Sequence, residues 1–205
     1  MAAQVFPTKG NLIATKKSLD LAKLGYDLLD RKRNILVREM MLMIDRATNI
    51  QNRIDSTYSQ AYKALQKANI TLGFVDEYLQ SIPIENTLAI DYRSVMGIEI
   101  PTVSIDADKD TANYPLGSTN SMLDEAFIKF HDVKMMTVEL AEVESSVYLL
   151  ANAIRKTQKR ANALRNIMIP QFEDTVKYIT EVLEEKERED FSRLKVIKKQ
   201  KENRI

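Results

Sequence analysis

Residues 9–80 contain no proline and only three glycines, Gly10, Gly25 and Gly73, with an apolar residue at almost every third or fourth position. Read as one helix rising about 1.5 Å per residue, the stretch would run roughly 110 Å. A helix of that length cannot fold back into a compact ball, so it demands a partner of similar length. The proline-poor stretch from Ser121 to the C-terminus, interrupted at Pro170, can supply one. The fold class expected is therefore all-α: an elongated, antiparallel two-helix coiled coil with a short middle region.

The helical seam can be counted. Leu12, Thr15, Leu19, Ala22, Tyr26, Leu29, Arg33, Leu36, Met40, Met43, Ala47, Ile50 and Ile54 alternate steps of three and four, the a/d pattern of a left-handed coiled coil. Two steps of four then follow in succession, through Tyr58, before the seam resumes at Ala61, Leu65, Ala68, Leu72, Val75 and Leu79. Such an insertion is a stutter that locally relaxes the supercoil. Pro7 and Thr8 offer a start signal, and Ile82-Pro83 is expected to end the helix, because the residue before proline is pushed out of the helical region. The return helix reads Val133, Met136, Leu140, Val143, Val147, Leu150, Ile154, Thr157, Ala161, Leu164 and Met168. It resumes past Pro170 with Phe172, Val176, Ile179 and Leu183, then Phe191, Leu194 and Ile197. An internal proline should kink it there.

Between the helices lie three of the five prolines and a run of β-branched residues. Residues 87–95 and 98–105 read as two strands turning at Met96-Gly97, with Pro101 on an edge or at a strand end. Residues 106–120 read as a polar loop ending in helix caps. Three regions follow: 1–82, the first long helix; 83–120, the middle with its hairpin; and 121–205, the second long helix, kinked near Pro170. Paired about the hairpin, with Leu79 near Met122, positions facing each other add to roughly 200. That register sets Pro170 level with Arg31-Lys32-Arg33.

Composition removes several function classes. The 205 residues carry 30 basic and 29 acidic side chains, a formal net charge of +1, so no global polycation points to nucleic acid. The basic C-terminal segment is interspersed with Glu187, Glu189 and Asp190 and lacks a stacking-aromatic or groove-reading motif. With no cysteine there is no disulfide, Cys-ligated zinc or thiol nucleophile. His131 is the only histidine, expected at the surface or an interface. No Gly-rich phosphate loop occurs, and no stretch is apolar enough to enter a membrane. Neither catalytic residues nor a cofactor or metal site is expected. The methionines at 40, 41, 43, 135 and 136 read as adaptable packing. Arg31, Lys32 and Arg33, with Lys156, Lys159, Arg160 and Arg165, form a local basic group that is either a solvated helix face or a contact surface. Arg33 stands on the seam itself, so it must snorkel outward or be paired.

Several separated blocks resemble one family. Pro7-Thr8-Lys9, Leu19-Asp20-Leu21-Ala22 and Gly25-Tyr26-Asp27-Leu28-Leu29-Asp30-Arg31-Lys32-Arg33 are similar to the D subunit of the V-type and A-type rotary ATPases. So are Val95-Met96-Gly97-Ile98-Glu99-Ile100-Pro101 in the middle, then Arg160-Ala161-Asn162-Ala163-Leu164, Ile169-Pro170, Glu184-Glu185-Lys186-Glu187-Arg188-Glu189 and Arg193-Leu194-Lys195. The resemblance implies a non-catalytic central rotor shaft. Its termini would penetrate the catalytic hexamer of A and B subunits, the small F subunit of the stalk would pack on its side, and its lower part would reach the membrane-facing coupling subunit (C/d type). It would couple ATP hydrolysis or synthesis to proton or sodium translocation from a cytoplasmic position peripheral to the membrane, without a cofactor of its own. It would make the basic residues Arg31, Lys32, Arg33, Arg160 and Arg165 candidate stator contacts, and the hairpin residues Val95, Met96, Gly97, Ile98 and Pro101 a regulatory element. A coiled-coil scaffold or adaptor that only spaces other proteins is the alternative.

Overall fold

The computed structural model describes residues 6–75, 86–105, 114–115 and 117–202. They form α1 (Lys9–Leu72), β1 (Leu88–Val95), β2 (Ile98–Ile105), α2 (Ser121–Ala163), a π-helical turn (Leu164–Met168) and α3 (Ile169–Glu202). The chain is mostly helical, with long helices at each end and a small antiparallel hairpin in the middle. It divides into two compact units, a terminal one (Met1–Arg33 with Arg155–Ile205) and a central one (Asn34–Ile154).

Helix α1 starts where its sequence signals it. Thr8 is the cap: its hydroxyl oxygen accepts from the Asn11 N–H at 3.2 Å and its carbonyl from the Leu12 N–H at 3.0 Å. Every seam position from Leu12 to Ile54 is buried or half-buried. Full burial falls on Leu36, Met43 and Ile50, one heptad apart, and again on Ala61, Ala68 and Val75. The eleven-residue step between Ile50 and Ala61 is a heptad plus the four residues of a stutter. The helix closes at Leu72, earlier than the expected boundary at Ile82-Pro83, which lies outside the described residues along with Leu79. Gly73 ends it: with φ at 81° it adopts the left-handed conformation, and its N–H donates to Asn69 O at 3.0 Å.

In the central unit α2 runs antiparallel to α1. Asn120 caps α2 by accepting from the Leu123 N–H at 3.2 Å, and its side-chain amide donates to Thr71 Oγ1 at 2.7 Å. Tyr62 meets Phe130 edge-on at 5.5 Å, Tyr58 shares a hydrogen bond of 3.1 Å with Thr137, and Arg46 pairs with Glu139 at 3.1 Å. The core combines Leu36, Met43 and Ile50 of α1 with Val143 and Leu150 of α2 and Ile100 of β2. A second cluster, Ala68, Val75, Tyr114 and Leu123, closes the end where α1 stops and α2 begins. His131, expected at the surface or an interface, is buried in α2 at 9% exposure. Buried Ala126 and Val133 follow the a/d stripe, whereas His131 and buried Leu123 lie off it, so the covered face is wider there than a strict a/d seam.

In the terminal unit the early part of α1 runs antiparallel to the end of α2, the π turn and α3. Arg33 faces Gln158, Tyr26 faces Arg165, Lys23 pairs with Glu173 at 2.8 Å and Lys9 with Glu187 at 2.9 Å. Pro170 is thus level with residues 23–26, not with Arg31, Lys32 and Arg33 as the sequence register suggested. That register assumed a helix reaching Leu79, whereas Thr71 already faces Asn120.

The irregularity expected at Pro170 is the π turn before it. The Ile169 N–H donates to Leu164 O, five residues back, so one extra residue is absorbed and Pro170 falls in the first turn of α3, where a missing N–H is tolerated. The same insertion moves the seam by one residue. Met168, expected inside, is exposed, and Ile169 takes its place half-buried. Phe191, Leu194 and Ile197 are also exposed despite their seam spacing. They lie beyond Glu187, the partner of α1's first residue, so α1 offers them nothing to pack on.

Candidate functional site

The basic group of the terminal unit separates into used and unused cations. Arg33 is held within the chain: one guanidinium nitrogen donates to Gln158 Oε1 at 2.9 Å and another pairs with Asp30 Oδ1 at 2.7 Å. Gln158 in turn donates to Asn162 Oδ1 at 2.8 Å. The seam arginine is therefore paired across the helix interface, forming a polar layer in an otherwise apolar seam. Arg165 lies over the Tyr26 ring, 5.9 Å from its centroid, with a nitrogen 3.5 Å from the Tyr26 hydroxyl. This is a cation–π contact at an exposed site. Arg31 and Arg160 are exposed and Lys32 is half-exposed, and none of the three has an ion-pair partner among the described residues. With Lys156 and Lys159, exposed and likewise without an ion-pair partner among the described residues, these cations are available to meet a partner.

The hairpin forms as its sequence requires. Met96 and Gly97 both take positive φ, 53° and 76°, the type I′ geometry that matches strand twist. Val95 pairs with Ile98 across this two-residue turn, and the register continues through Arg93↔Ile100, Tyr92↔Pro101 and Ile90↔Val103 to Leu88↔Ile105. A turn of this kind closes on a hydrogen-bonded pair, so Arg93, Asp91 and Ala89 also direct their backbone groups inward. Pro101 and Val103 then direct theirs outward, which is why a proline is tolerated inside β2.

One face of the hairpin is fastened to the helix pair. Ile100 is 2% exposed in the core, with half-buried Val95 and Ile98 packed against the same cluster. Arg93 donates to Glu39 Oε1 at 2.8 Å, and the outward Val103 N–H donates to Glu142 Oε2 at 2.7 Å. Met96, at the tip, is 44% exposed. Glu39 and Glu142 were not singled out in the sequence. The available signal is that each stands immediately before a seam residue, Met40 and Val143.

The arrangement is one of contact surfaces. Among the described residues no group of histidine, aspartate and glutamate side chains is placed to hold a metal ion, and no helix is long and apolar enough to cross a membrane.

Comparison with known proteins gives these surfaces a context. The family of the ATP synthase D subunit matches residues 11–199. The D subunit of the V-type ATP synthase of Thermotoga neapolitana is 44% identical over 196 residues, covering 95% of this chain and 97% of the relative. The D subunit of the A-type ATP synthase of Thermococcus kodakarensis is 37% identical, covering 95% and 93%, and that of Methanobrevibacter smithii 36% identical, covering 94% and 85%. With the match spanning both helical units and the hairpin, the chain belongs to the ATP synthase D-subunit family, a component of the V/A-type rotary ATPases.

Proposed function

We propose that this chain is the central rotor shaft of its complex, linking ATP turnover in a hexamer of A and B subunits to ion translocation through the membrane sector. The family match over residues 11–199 carries this reading. The physics of the fold supports it. Two antiparallel helices interlocked along an a/d seam resist shear along their length. A two-helix shaft inside a three-fold ring also presents a different face to each catalytic interface, so one rotor angle favours different conformations at different sites by differential contact.

In this reading the chain performs no chemistry of its own. The exposed Arg31 and Arg160, with half-exposed Lys32, meet acidic loops of the surrounding ring, while Arg33 and Arg165 set the local geometry of the shaft. The hairpin around Val95, Met96, Gly97, Ile98 and Pro101 modulates hydrolysis. The small F subunit of the stalk and the membrane-facing coupling subunit are its further partners, at the cytoplasmic side of the membrane.

The test is reconstitution of the A/B hexamer with and without this chain. The rotor reading expects the chain to bind and to change ATP turnover. An adaptor would bind without effect on turnover, and a hexamer that neither binds nor responds would refute the reading. Replacing Arg31, Lys32 and Arg160 together with alanine should weaken coupling between turnover and ion movement while leaving the melting temperature unchanged. Unaltered coupling would reduce these cations to a solvated face.

A further inference from the structure

The two outer edges of the hairpin are treated differently. On β2 the outward-facing residues are Glu99, Pro101, Val103 and Ile105. Pro101 has no N–H to offer, and the Val103 N–H is capped by Glu142 at 2.7 Å. Those are devices that keep an edge from pairing with another strand. On β1 the outward-facing residues are Leu88, Ile90, Tyr92 and Ser94. No proline interrupts them, and among the described residues their outward backbone groups have no partner, the sheet ending at two strands.

The same four residues project their side chains from the hairpin face that points away from Ile100. Leu88 is 46% exposed, Ile90 52% and Tyr92 67%, an apolar row standing beside an open hydrogen-bonding edge. On the opposite face of β1, Arg93 is already engaged by Glu39, whereas Asp91 is exposed with no ion-pair partner among the described residues. A strand laid along this edge would match it with apolar side chains at alternate positions, on the Leu88, Ile90 and Tyr92 side, and with a cation facing Asp91 on the other.

We propose that the outer edge of β1 receives an extended strand from a neighbouring subunit, one that alternates apolar residues and carries a lysine or arginine opposite Asp91. This rests on the rotor reading only for the statement that the neighbour is a subunit of the same complex. Backbone pairing supplies the affinity, and the exposed side chains of Leu88, Ile90 and Tyr92 at alternate positions set the register. The blunted β2 edge leaves one side of the hairpin for this pairing, so the hairpin is joined to the helix pair through one face and one edge and to its neighbour through the other edge.

The experiment is residue-resolved amide hydrogen exchange on the purified chain and on the same chain in the assembled ATPase complex. The amides of Leu88, Ile90, Tyr92 and Ser94 alternate in their access to the new strand with those of Ala89, Asp91 and Arg93, which already face β2. On assembly the outward set should slow by roughly tenfold, the order expected when an amide gains one net hydrogen bond, with the inward set little changed. Ile90→Pro removes an outward N–H without touching the β1–β2 ladder and should abolish the slowing at the remaining outward amides. Asp91→Lys should weaken it by repelling the facing cation. Outward amides equally fast in the chain and in a complex that contains it would sink the strand inference alone. Amides already slow in the purified chain would show that the chain covers its own edge and would also overturn it. A complex that does not take up the chain would instead refute the rotor reading, and the neighbour with it.

Discussion

The central and terminal units bury their seams differently. In residues 34–154 the helix pair is covered by a third element, and with Ile100 of the hairpin in place Leu36, Val143 and Leu150 reach complete burial. In the terminal unit the described residues supply two helical segments only. There the buried seam residues are Ala22, Thr157, Ala161 and Ile179, and most other seam positions stay half-exposed. Two helices bring few large side chains to complete burial, Ile179 being the one among the described residues of the terminal unit; a third layer covers more of them. Apolar stabilisation is therefore concentrated in the central unit. The terminal unit adds rim ion pairs such as Lys9–Glu187 and Lys23–Glu173, both at least half-exposed, and pairs of that kind contribute about 0–1 kcal/mol each.

The largest test of this contrast removes the third layer's anchor. Ile100→Ala should destabilise the central unit by about 2–5 kcal/mol, the usual cost of emptying a fully buried isoleucine site. Denaturant unfolding measures the loss, and the amides of α1 near Leu36 and Met43 should lose protection with it. A cost under about 1 kcal/mol would show that the hairpin merely rests on the helices and that the contrast between the units has another origin.

A second test uses pH. Tyr114 is 6% exposed and donates to Asp124 Oδ1 at 2.5 Å. Burial, the hydrogen bond and the charge of Asp124 together push its phenol from 10.0 up to about 12. Since the folded chain disfavours ionisation, the stability this group contributes is complete below pH 10, falls as pH rises, and is lost once pH passes about 12. Thermal melts from pH 9 upward should show a decline in the central unit that Tyr114→Phe makes shallower, at the expense of the bond to Asp124 near neutrality. Identical profiles for both proteins would remove Tyr114 from the account.

Arg33 gives a smaller effect of two signs. Arg33→Ala removes the ion pair to Asp30 and the donor to Gln158 Oε1 and should cost about 1–2 kcal/mol, at the lower end because the Arg33 and Asp30 side chains are about 30% exposed. Arg33→Leu restores the apolar heptad and should be neutral or stabilising by up to about 1 kcal/mol. Circular-dichroism melts distinguish them. If leucine destabilises as much as alanine, the polar layer is a structural requirement of the terminal unit and not a departure from its pattern.

What the sequence made legible follows from how local each determinant is. The seam of α1, the Thr8 cap and the Met96-Gly97 turn depend on spacing or on single residues, and each lies where those signals put it. The end of α1 depended on weighing Gly73 against Pro83, and a glycine in the left-handed conformation is sufficient to stop a helix. The helix register followed from that end, so the error carried through to the level assigned to Pro170. The shift from Met168 to Ile169 required knowing that the backbone absorbs an extra residue before a proline, which side-chain periodicity does not encode. Among the candidate contacts, the exposure of Arg31 and Arg160 accords with a charged helix face. The capture of Arg33 by Gln158 and of the Val103 N–H by Glu142 joins residues 125 and 39 positions apart, a juxtaposition visible only once the register is right.

The smallest expected effect lies in the terminal unit, at Gly25. This glycine is inside α1 with ordinary helical geometry, and a Cβ added there would sit 3.8 Å from Leu164 Cδ1, an ordinary van der Waals contact at the start of the π turn. Nothing steric requires glycine, and in a helix interior glycine is less favourable than alanine by about 0.8–1 kcal/mol. Gly25→Ala should therefore stabilise the terminal unit by about 0.5–1 kcal/mol, partly through helix propensity and partly through the new contact with Leu164. The gain should appear as slower amide exchange near residues 22–29 and leave the central unit unchanged. A destabilisation would mean that α1 and the π turn are packed too closely to admit one methyl group, making the terminal seam tighter than its half-exposed residues indicate and narrowing the difference between the two units.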